Sequence, residues 1–481
     1  MRLDANESGA VRSRKGGSVR CPSNLAVVLI SIALAAMAPV AAADVDLMAA
    51  WEAAQQQDPT LASAEAELDA GQARSRQGRA LALPTVTVSG SVGYGNATQN
   101  TTGAQFSGPG FGTVNGVDFR TDIHDGTATG WRVTAEQPIY NSERSANAHQ
   151  LELQAGRAEI QLRAARQELM LRTARVYFEV LLSEDALEEV RRQKEATERA
   201  LAVAQGSYDE GKLPVTDRNE AQARYDGIVA RESAALDDLD LRQAALFELT
   251  GLPPDKLKRV PVSAPLRAFD AGRVDQWLSK AGDNNPQIEL QAVTREIAAQ
   301  EIRKWNALAA PTLSLVAQAG GDRLSGNGGF GTAASVSSNN SVVSLQLSIP
   351  LYTGGMRGAR GDEAVAMAEK ARFDVEATRK AVLLQTRGAW LGTTGGLARI
   401  HAYERAVESA RSRLDATETG HEVGARTTLD LLNAQADLFR ALRELKHAKI
   451  QVLLDRLTLA KAAGELTAED LHAVNANLAR E

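Results

Sequence analysis

The sequence predicts a mainly helical chain made of two copies of one unit, each placing a pair of β-strands ahead of a very long helical hairpin. Three observations carry this. With 44% hydrophobic and 24% charged residues the chain can fold, and an aromatic content of only 4% suits closely packed helices better than bulky cores. Two long segments, 141–206 and 358–420, contain no proline. The landmarks around them recur at matching spacing in the two halves.

Residues 1–43 hold Arg2, Arg12, Arg14, Lys15 and Arg20, then the apolar run Leu25 to Ala38, then Ala41, Ala42 and Ala43. This is the pattern of a secretory signal peptide, with cleavage expected before Asp44. A membrane anchor would need a longer apolar run. The leader takes five basic and two acidic residues with it, so the net charge of −6 becomes more negative on export. Nucleic acid is therefore excluded as a partner. The only cysteine, Cys21, precedes the apolar run and leaves too, which removes disulfides, thiol catalysis and cysteine metal sites. No apolar run of about 18 residues follows residue 43, so any membrane crossing must be made by strands.

The repeat spans residues 44–263 and 264–481. Trp51 to Pro59 matches Trp277 to Pro286, and a helical stretch then runs 25 residues to Pro84 in one copy and to Pro311 in the other. Next come Gln137-Pro138-Ile139-Tyr140 and Ile349-Pro350-Leu351-Tyr352, followed after 73 and 74 residues from their prolines by Gly211 and Gly424. Beyond each glycine, Asp217 with Ala221-Gln222-Ala223 corresponds to Asp430 with Ala434-Gln435-Ala436.

Apolar residues alternate with small or polar ones over about 85–100 and 127–138, and again over about 311–320 and 341–351, which predicts four strands with one apolar face each. Between them, 101–126 and 320–340 are rich in Gly, Ser, Thr and Asn and read as long polar loops. The remainder forms helical hairpins over about 141–250 and 356–463, whose first helices would each span roughly 95 to 100 Å. Gly392, Gly395 and Gly396 mark an expected kink or break, since each costs about 1 kcal/mol against Ala inside a helix.

Four short strands leave backbone groups unpaired at both edges, which lipid does not tolerate. A closed barrel needs about eight strands or more, so one chain is insufficient, whereas three would supply about twelve. The alternation fits a lipid-facing outside and a watery inside. A soluble sheet packed on helices fits the strand pattern equally well; export and the immense flanking helices favour the barrel.

Leu347 to Met356 (LSIPLYTGGM), Val423 to Gln435 (VGARTTLDLLNAQ) and Gly211 to Ala223 (GKLPVTDRNEAQA) closely resemble the TolC family of outer-membrane efflux and secretion channels, and the resemblance covers nearly the whole mature chain. It implies a homotrimer in which each protomer gives four strands to one twelve-stranded outer-membrane barrel and long helices to a periplasmic α-helical barrel. It further implies docking to a periplasmic membrane-fusion adaptor and an inner-membrane RND pump or ABC exporter, which supplies the energy. The implied function is a passive exit duct for small molecules, type I secreted proteins or both, with an iris-like gate at its periplasmic end.

Arg426, Asp430, Asn433 and Asp437 fall on a narrow arc of the helix after Gly424, with Leu431, Leu438, Phe439, Leu442 and Leu445 opposite. Alone, this stripe is an ordinary solvated face. The family's closed end has a ring of aspartates and an arginine bonded to a Thr-Asp pair. By motif the ring residue is Asp430, the arginine Arg426, and its partners Thr216 and Asp217. Asn433 stands where close relatives have a second aspartate, and His421 where they have a bracing tyrosine, so three ring carboxylates are expected instead of six. Gly211 and Gly424 suit left-handed turns, and the resemblance makes these turns adaptor contacts. Structural roles stand beside these: Thr216 or Asp217 as a helix cap, Thr427 with Asp430 as a capping box, and Arg426 as a solvated charge.

No GxxxxGK[ST] or HExxH motif occurs, the six histidines are scattered, and no cofactor is implied; an enzyme is the least supported class. The rival reading is a periplasmic coiled-coil adaptor or scaffold without a pore.

Overall fold

The computed structural model describes residues 45–479 apart from 255, 263 and 268–270. The signal-peptide reading of 1–43, with Cys21, lies outside the described residues. The first copy runs α1 (Leu47–Gln57), α2 (Pro59–Ala80), β1 (Thr85–Gly108), β2 (Gly112–Tyr140), α3 (Ser142–Asp209) and α4 (Val215–Thr250). The second runs α5 (Val274–Asn284), α6 (Pro286–Ala307), β3 (Thr312–Gly328), β4 (Ala333–Ser348), α7 (Met356–Glu422) and α8 (Thr428–Ala462), and α9 (Ala468–Asn475) closes the chain. Among the described residues no helix is long and apolar enough to cross a membrane.

The Trp-to-Pro motifs are helix junctions. Asp58 and Asn285 each end one helix and cap the next, with Pro59 and Pro286 in its first turn. The Asp58 carboxylate accepts from Leu61 N at 2.8 Å, and the Asn285 amide oxygen accepts from Gln287 N at 2.9 Å. Proline costs nothing there, because that N–H has no intrahelical partner in any case.

The four strands form one antiparallel sheet in the order β1-β2-β3-β4, leaving β1 and β4 as free edges. The polar stretches 101–126 and 320–340 are not loops. β1 pairs with β2 as far as Gly108 opposite Gly112, and β3 with β4 as far as Asn327 opposite Ala333. Backbone pairing does not require apolar side chains, so Gly- and Thr-rich sequence extends the ladders well past the alternating segments.

The helix through Gly392, Gly395 and Gly396 is also unbroken. A Cβ on Gly396 would stand 2.3 Å from Val452 Cγ2 of α8. The missing side chain admits the neighbouring helix, and packing of Ile400, Val407, Leu445, Ala448 and Val452 between α7 and α8 outweighs the local propensity cost.

The main core sits where α1, α3, α8 and α9 meet the segment joining the two copies. It contains Leu47, Tyr177, Phe178, Leu181, Val260, Leu453, Leu457 and Leu471. The Tyr177 hydroxyl reaches the carbonyl oxygens of Lys258 at 2.8 Å and Val45 at 3.1 Å. Lys449, only 1% exposed, donates from Nζ to the carbonyls of Val262 at 2.7 Å, Ala264 at 2.8 Å and Pro261 at 3.3 Å. Burial pulls its pKa below the ordinary lysine value. Beside it, Arg259 of the joining segment binds Glu184 at 2.7 Å, while Lys446 and Arg443 of the second copy bind Asp185 at 2.7 Å and Glu189 at 3.1 Å, so charges of the joining segment and of α8 grip α3.

Two substitutions separate the roles of the glycines in α7. Gly396→Leu should destabilise the protein by about 1–3 kcal/mol through overpacking against Val452. Gly395→Ala, whose Cβ would meet only Arg399 Nη1 at 3.9 Å, should leave the melting temperature unchanged or raise it. Thermal melts of both variants in detergent check the pair.

Candidate functional site

The sheet sorts its side chains by chemistry. Cross-strand register puts Val86, Ala135, Ala317 and Val343 on one face, followed by Val88, Val133 and Ala319, and then Trp131. The other face is mainly polar: Thr85, Glu136, Val316 and Ser344, then Thr87, Thr134, Gln318 and Val342, then Ser89, Arg132 and Asn340, then Ser91, Asp322 and Ser338. The apolar face is open: Val88 is 77% exposed and Val343 71%. Val86 to Tyr94 covers about 27 Å of strand, which at a tilt of about 40° makes a band roughly 20 Å tall, close to the apolar height of an outer-membrane wall. Tyr94 stands at one rim of this band and Tyr140 beyond the other, at the usual places of aromatic girdles, while Trp131, opposite Gly90, lies midway between them.

The helices repeat the same incomplete design. Towards the tips α3 packs on α4 and on α8, and α8 packs on α7; nearer the sheet α3 packs on α2 and on α6, and α6 packs on α7, so α7 lies at one margin of the helical layer and α4, with α2 nearer the sheet, at the other. Their apolar residues, Val229, Leu236 and Leu241 on α4 and Val365, Phe373 and Leu384 on α7, remain exposed. Individual exposed apolar residues mean little, but rows of them at both margins are the signature of an interaction surface.

At the end of the hairpins both copies use one turn. Gly211 (φ 73°) donates to Tyr208 O at 2.8 Å while Lys212 N reaches Ser207 O at 2.8 Å; Gly424 (φ 75°) donates to His421 O at 3.0 Å while Ala425 N reaches Gly420 O at 2.7 Å. These are matching Schellman motifs, in which glycine adopts the left-handed backbone without a Cβ clash.

The two helix starts that follow differ. In α8, Asp430 Oδ2 accepts from Thr427 N at 3.1 Å and Thr427 Oγ1 at 2.9 Å, while Asp430 N donates to Thr427 Oγ1 at 3.1 Å. This is the capping box. The Thr427 amide, then its hydroxyl, then the Arg426 charge hold the Asp430 carboxyl below its ordinary pKa. In α4 the cap position is Pro214, with no side-chain cap, so neither Thr216 nor Asp217 caps the helix. Pro214 at φ −68° presets an extended entry and starts the helix early, which leaves Asp217 at the position equivalent to Asp430. There it accepts a side-chain hydrogen bond from its neighbour Thr216 Oγ1, at 3.1 Å, and both residues are exposed.

Arg426 is exposed and lies near Asp430; its stem packs on Gly420, where a Cβ would meet Arg426 Cγ at 2.8 Å. Within one chain the described residues show no hydrogen bond or ion pair from Arg426 to Thr216 or Asp217. His421 is half-buried beneath the turn and Asn433 is exposed on α8. Asp437, part of the polar stripe, is held by Arg413 of α7 at 2.6 Å and Arg440 at 3.3 Å. That pair was missed in the sequence, although Arg413 and Asp437 stand 12 residues either side of Ala425, as partners in an antiparallel hairpin must. Leu438, Leu442 and Leu445 do face the α7–α8 core.

The sequence matches the family described as Outer membrane efflux protein over residues 50–252 and 277–465. It is 28% identical to Outer membrane protein TolC of Escherichia coli (strain K12) over 94% of this chain and 89% of that one. It is also 28% identical to the alkaline protease secretion protein AprF of Pseudomonas aeruginosa, over 90% of this chain and 87% of the relative. Among solved structures, the CmeC outer membrane channel of Campylobacter jejuni aligns with TM-score 0.69 at 14% identity, covering 99% of this chain and 97% of its own. The outer membrane protein VceC of Vibrio cholerae aligns with TM-score 0.66 at 20% identity, covering 87% and 96%.

The capping box gives a local test. Thr427→Ala should speed exchange of the Asp430 amide roughly fivefold, the loss expected of a helix cap. Because the Asp430 pKa is lowered, its contribution is full above the ordinary carboxylate range and fades as pH falls through the lowered value. Protection factors of that amide measured near neutrality and in acid check both effects.

Proposed function

The chain belongs to the outer membrane efflux protein family, and from that premise we propose that it works as a homotrimeric exit duct. It is an outer-membrane protein, and its relatives include secretion and efflux channels. The observation that carries the trimer is the pair of free margins in each layer: β1 and β4 in the sheet, α4 and α7 among the helices. Joining β4 of one copy to β1 of the next closes about twelve strands into a barrel, with Val88 and Val343 towards lipid and Arg132 and Asp322 towards water. The same operation sets α7 against α4 of a neighbour and continues the wall as a periplasmic helical tube. A water-soluble adaptor or scaffold would leave the apolar sheet face unexplained.

The tips form the gate. Threefold symmetry brings three Asp430 carboxylates towards the axis, where the mutual repulsion of ionised groups favours bound cations. Asn433 lies on the same stripe one turn away and adds no charge. Arg426 reaches Thr216 and Asp217 across helix pairs to hold the closed state, with His421 as its brace. Asp217 suits this role, because Pro214 deprives its carboxylate of the cap that Asp430 has. The turns at Gly211 and Gly424 meet a periplasmic adaptor, and an RND pump or ABC exporter beyond it drives the cargo. Small molecules and type I secreted proteins both fit a duct whose selectivity lies in the pump.

Purified in detergent, the protein should have the mass of three chains and conduct ions in a bilayer; a monomer that conducts nothing would refute the duct. Asp217→Ala and Arg426→Ala should each raise single-channel conductance, and unchanged values in both would discard the network. Asp430→Ala should weaken block by multivalent cations, whereas undiminished block would remove Asp430 from the constriction.

A further inference from the structure

β2 loses its second partner at Ile123, opposite Gly328; beyond this level β1 and β2 continue alone as a ribbon tipped at Gly108 to Gly112. The ribbon does not continue in the plane of the sheet. Register shifts fall between Gly95 and Ala97 on β1 and between His124 and Thr127 on β2, the usual devices for bending strands. Asp125 has φ 51°, the one positive value outside glycine among the described residues, and its N–H donates to Asn96 Oδ1 at 2.7 Å.

The direction of the bend can be read from glycines. Gly326 shares the polar face with Asp322 and Leu324, and a Cβ there would stand 2.6 Å from both His124 O and Gly126 Cα. The backbone of β2 therefore crosses the polar side of β3. A Cβ on Gly126 would meet Leu324 Cδ1 at 2.8 Å and Ile123 Cγ2 at 3.1 Å on that same side. Ile123 is 1% exposed, although it stands near the end of an open sheet. Ile123, Leu324 and Val336 fill the inner angle of the bend, beside a cavity of about 200 Å³.

We infer that the β1–β2 ribbon is a second constriction at the outer mouth: in the trimer three ribbons lean inward and meet near the axis. The inference rests on the duct reading, which makes the polar face the inside of the barrel. Dimensions allow it. From Thr98 to the tip the ribbon is about 35 Å long, while twelve strands tilted by about 40° enclose a radius of roughly 12 Å. The ribbon also carries Phe111, 81% exposed at the tip, and the ring pair Phe106 and Phe119 with centroids 6.0 Å apart. Meeting copies would cover these rings, which otherwise face water.

Two measurements test this. In a Cys21→Ser background, Phe111→Cys should cross-link pairs of protomers under mild oxidation, whereas Ser337→Cys on the outer face of β4 should not. Separately, replacing residues 100–120 by Asn-Gly, a two-residue turn between the paired Gln99 and Thr121, should open the mouth. A bulky polymer maleimide added outside intact cells should then label Ser89→Cys, on the inner face below the bend, at least about tenfold faster. A trimer in which Phe111→Cys pairs no better than Ser337→Cys, or in which labelling is no faster without the ribbon, overturns the constriction alone. A protein that is not trimeric by mass refutes the duct reading itself.

Discussion

A backbone N–H or C=O without a partner is tolerable in water and not in lipid, and every large feature of this chain answers to that constraint. Four strands in one sheet leave two edges bare, and the apolar face shows that the sheet resides where water cannot satisfy them. In the proposed trimer, further copies supply the closure. The helical layer, with α4 and α7 at margins that mirror β1 and β4, shares the requirement for a different reason: its exposed Val, Leu and Phe side chains need cover.

Duplication makes such closure geometrically simple, because each copy supplies the same strand pair and the same helical hairpin to a repeating wall. The copies agree where geometry is demanding. Asp58 and Asn285 cap equivalent junctions before proline, and Gly211 and Gly424 make the same turn to within a few degrees of φ. They diverge at the next residues. Thr427 occupies the Asp430 carboxylate in a capping box, while Pro214 leaves Asp217 uncapped and exposed. One changed residue thus turns equivalent helix starts into a self-satisfied carboxylate on α8 and an available one on α4, the asymmetry on which the proposed gate rests.

Between barrel and tips, the segment joining the copies is held by unusually strong local means. A buried ammonium saturated by three carbonyls ties Lys449 of α8 to the joining segment, Arg259 ties that segment to α3, and the ion pairs of Arg443 and Lys446 tie α8 to α3 directly. Breaking a buried charge from its partners is costly, so this level is the fixed part of the helical layer. Towards the tips, contacts between hairpins thin to features such as the Arg192 guanidinium over the Phe439 ring at 5.6 Å and an open cleft lined by Ile228, Asn433 and Phe439. The proposed gate at the tips rests on that gradient.

The sequence by itself determined the fold class, because strand alternation, proline-free helical segments and turn glycines are local patterns that encode local backbone geometry. It also marked Asp430 as a capping residue, a bond between neighbours three positions apart. Tertiary structure decided what depends on distant partners. The Gly- and Thr-rich stretch 101–126 is strand because a facing chain satisfies its backbone, and α7 runs unbroken through Gly396 because Val452 fills the space of a missing side chain. The inward bend at Ile123 follows from β2 crossing over Gly326, far away in sequence. Arg426 had a legible type and position, but its orientation rests on Gly420, and the partners proposed for it, Thr216 and Asp217, lie on another helix. Composition reports what a segment can bury; it does not report which remote backbone will stand beside it.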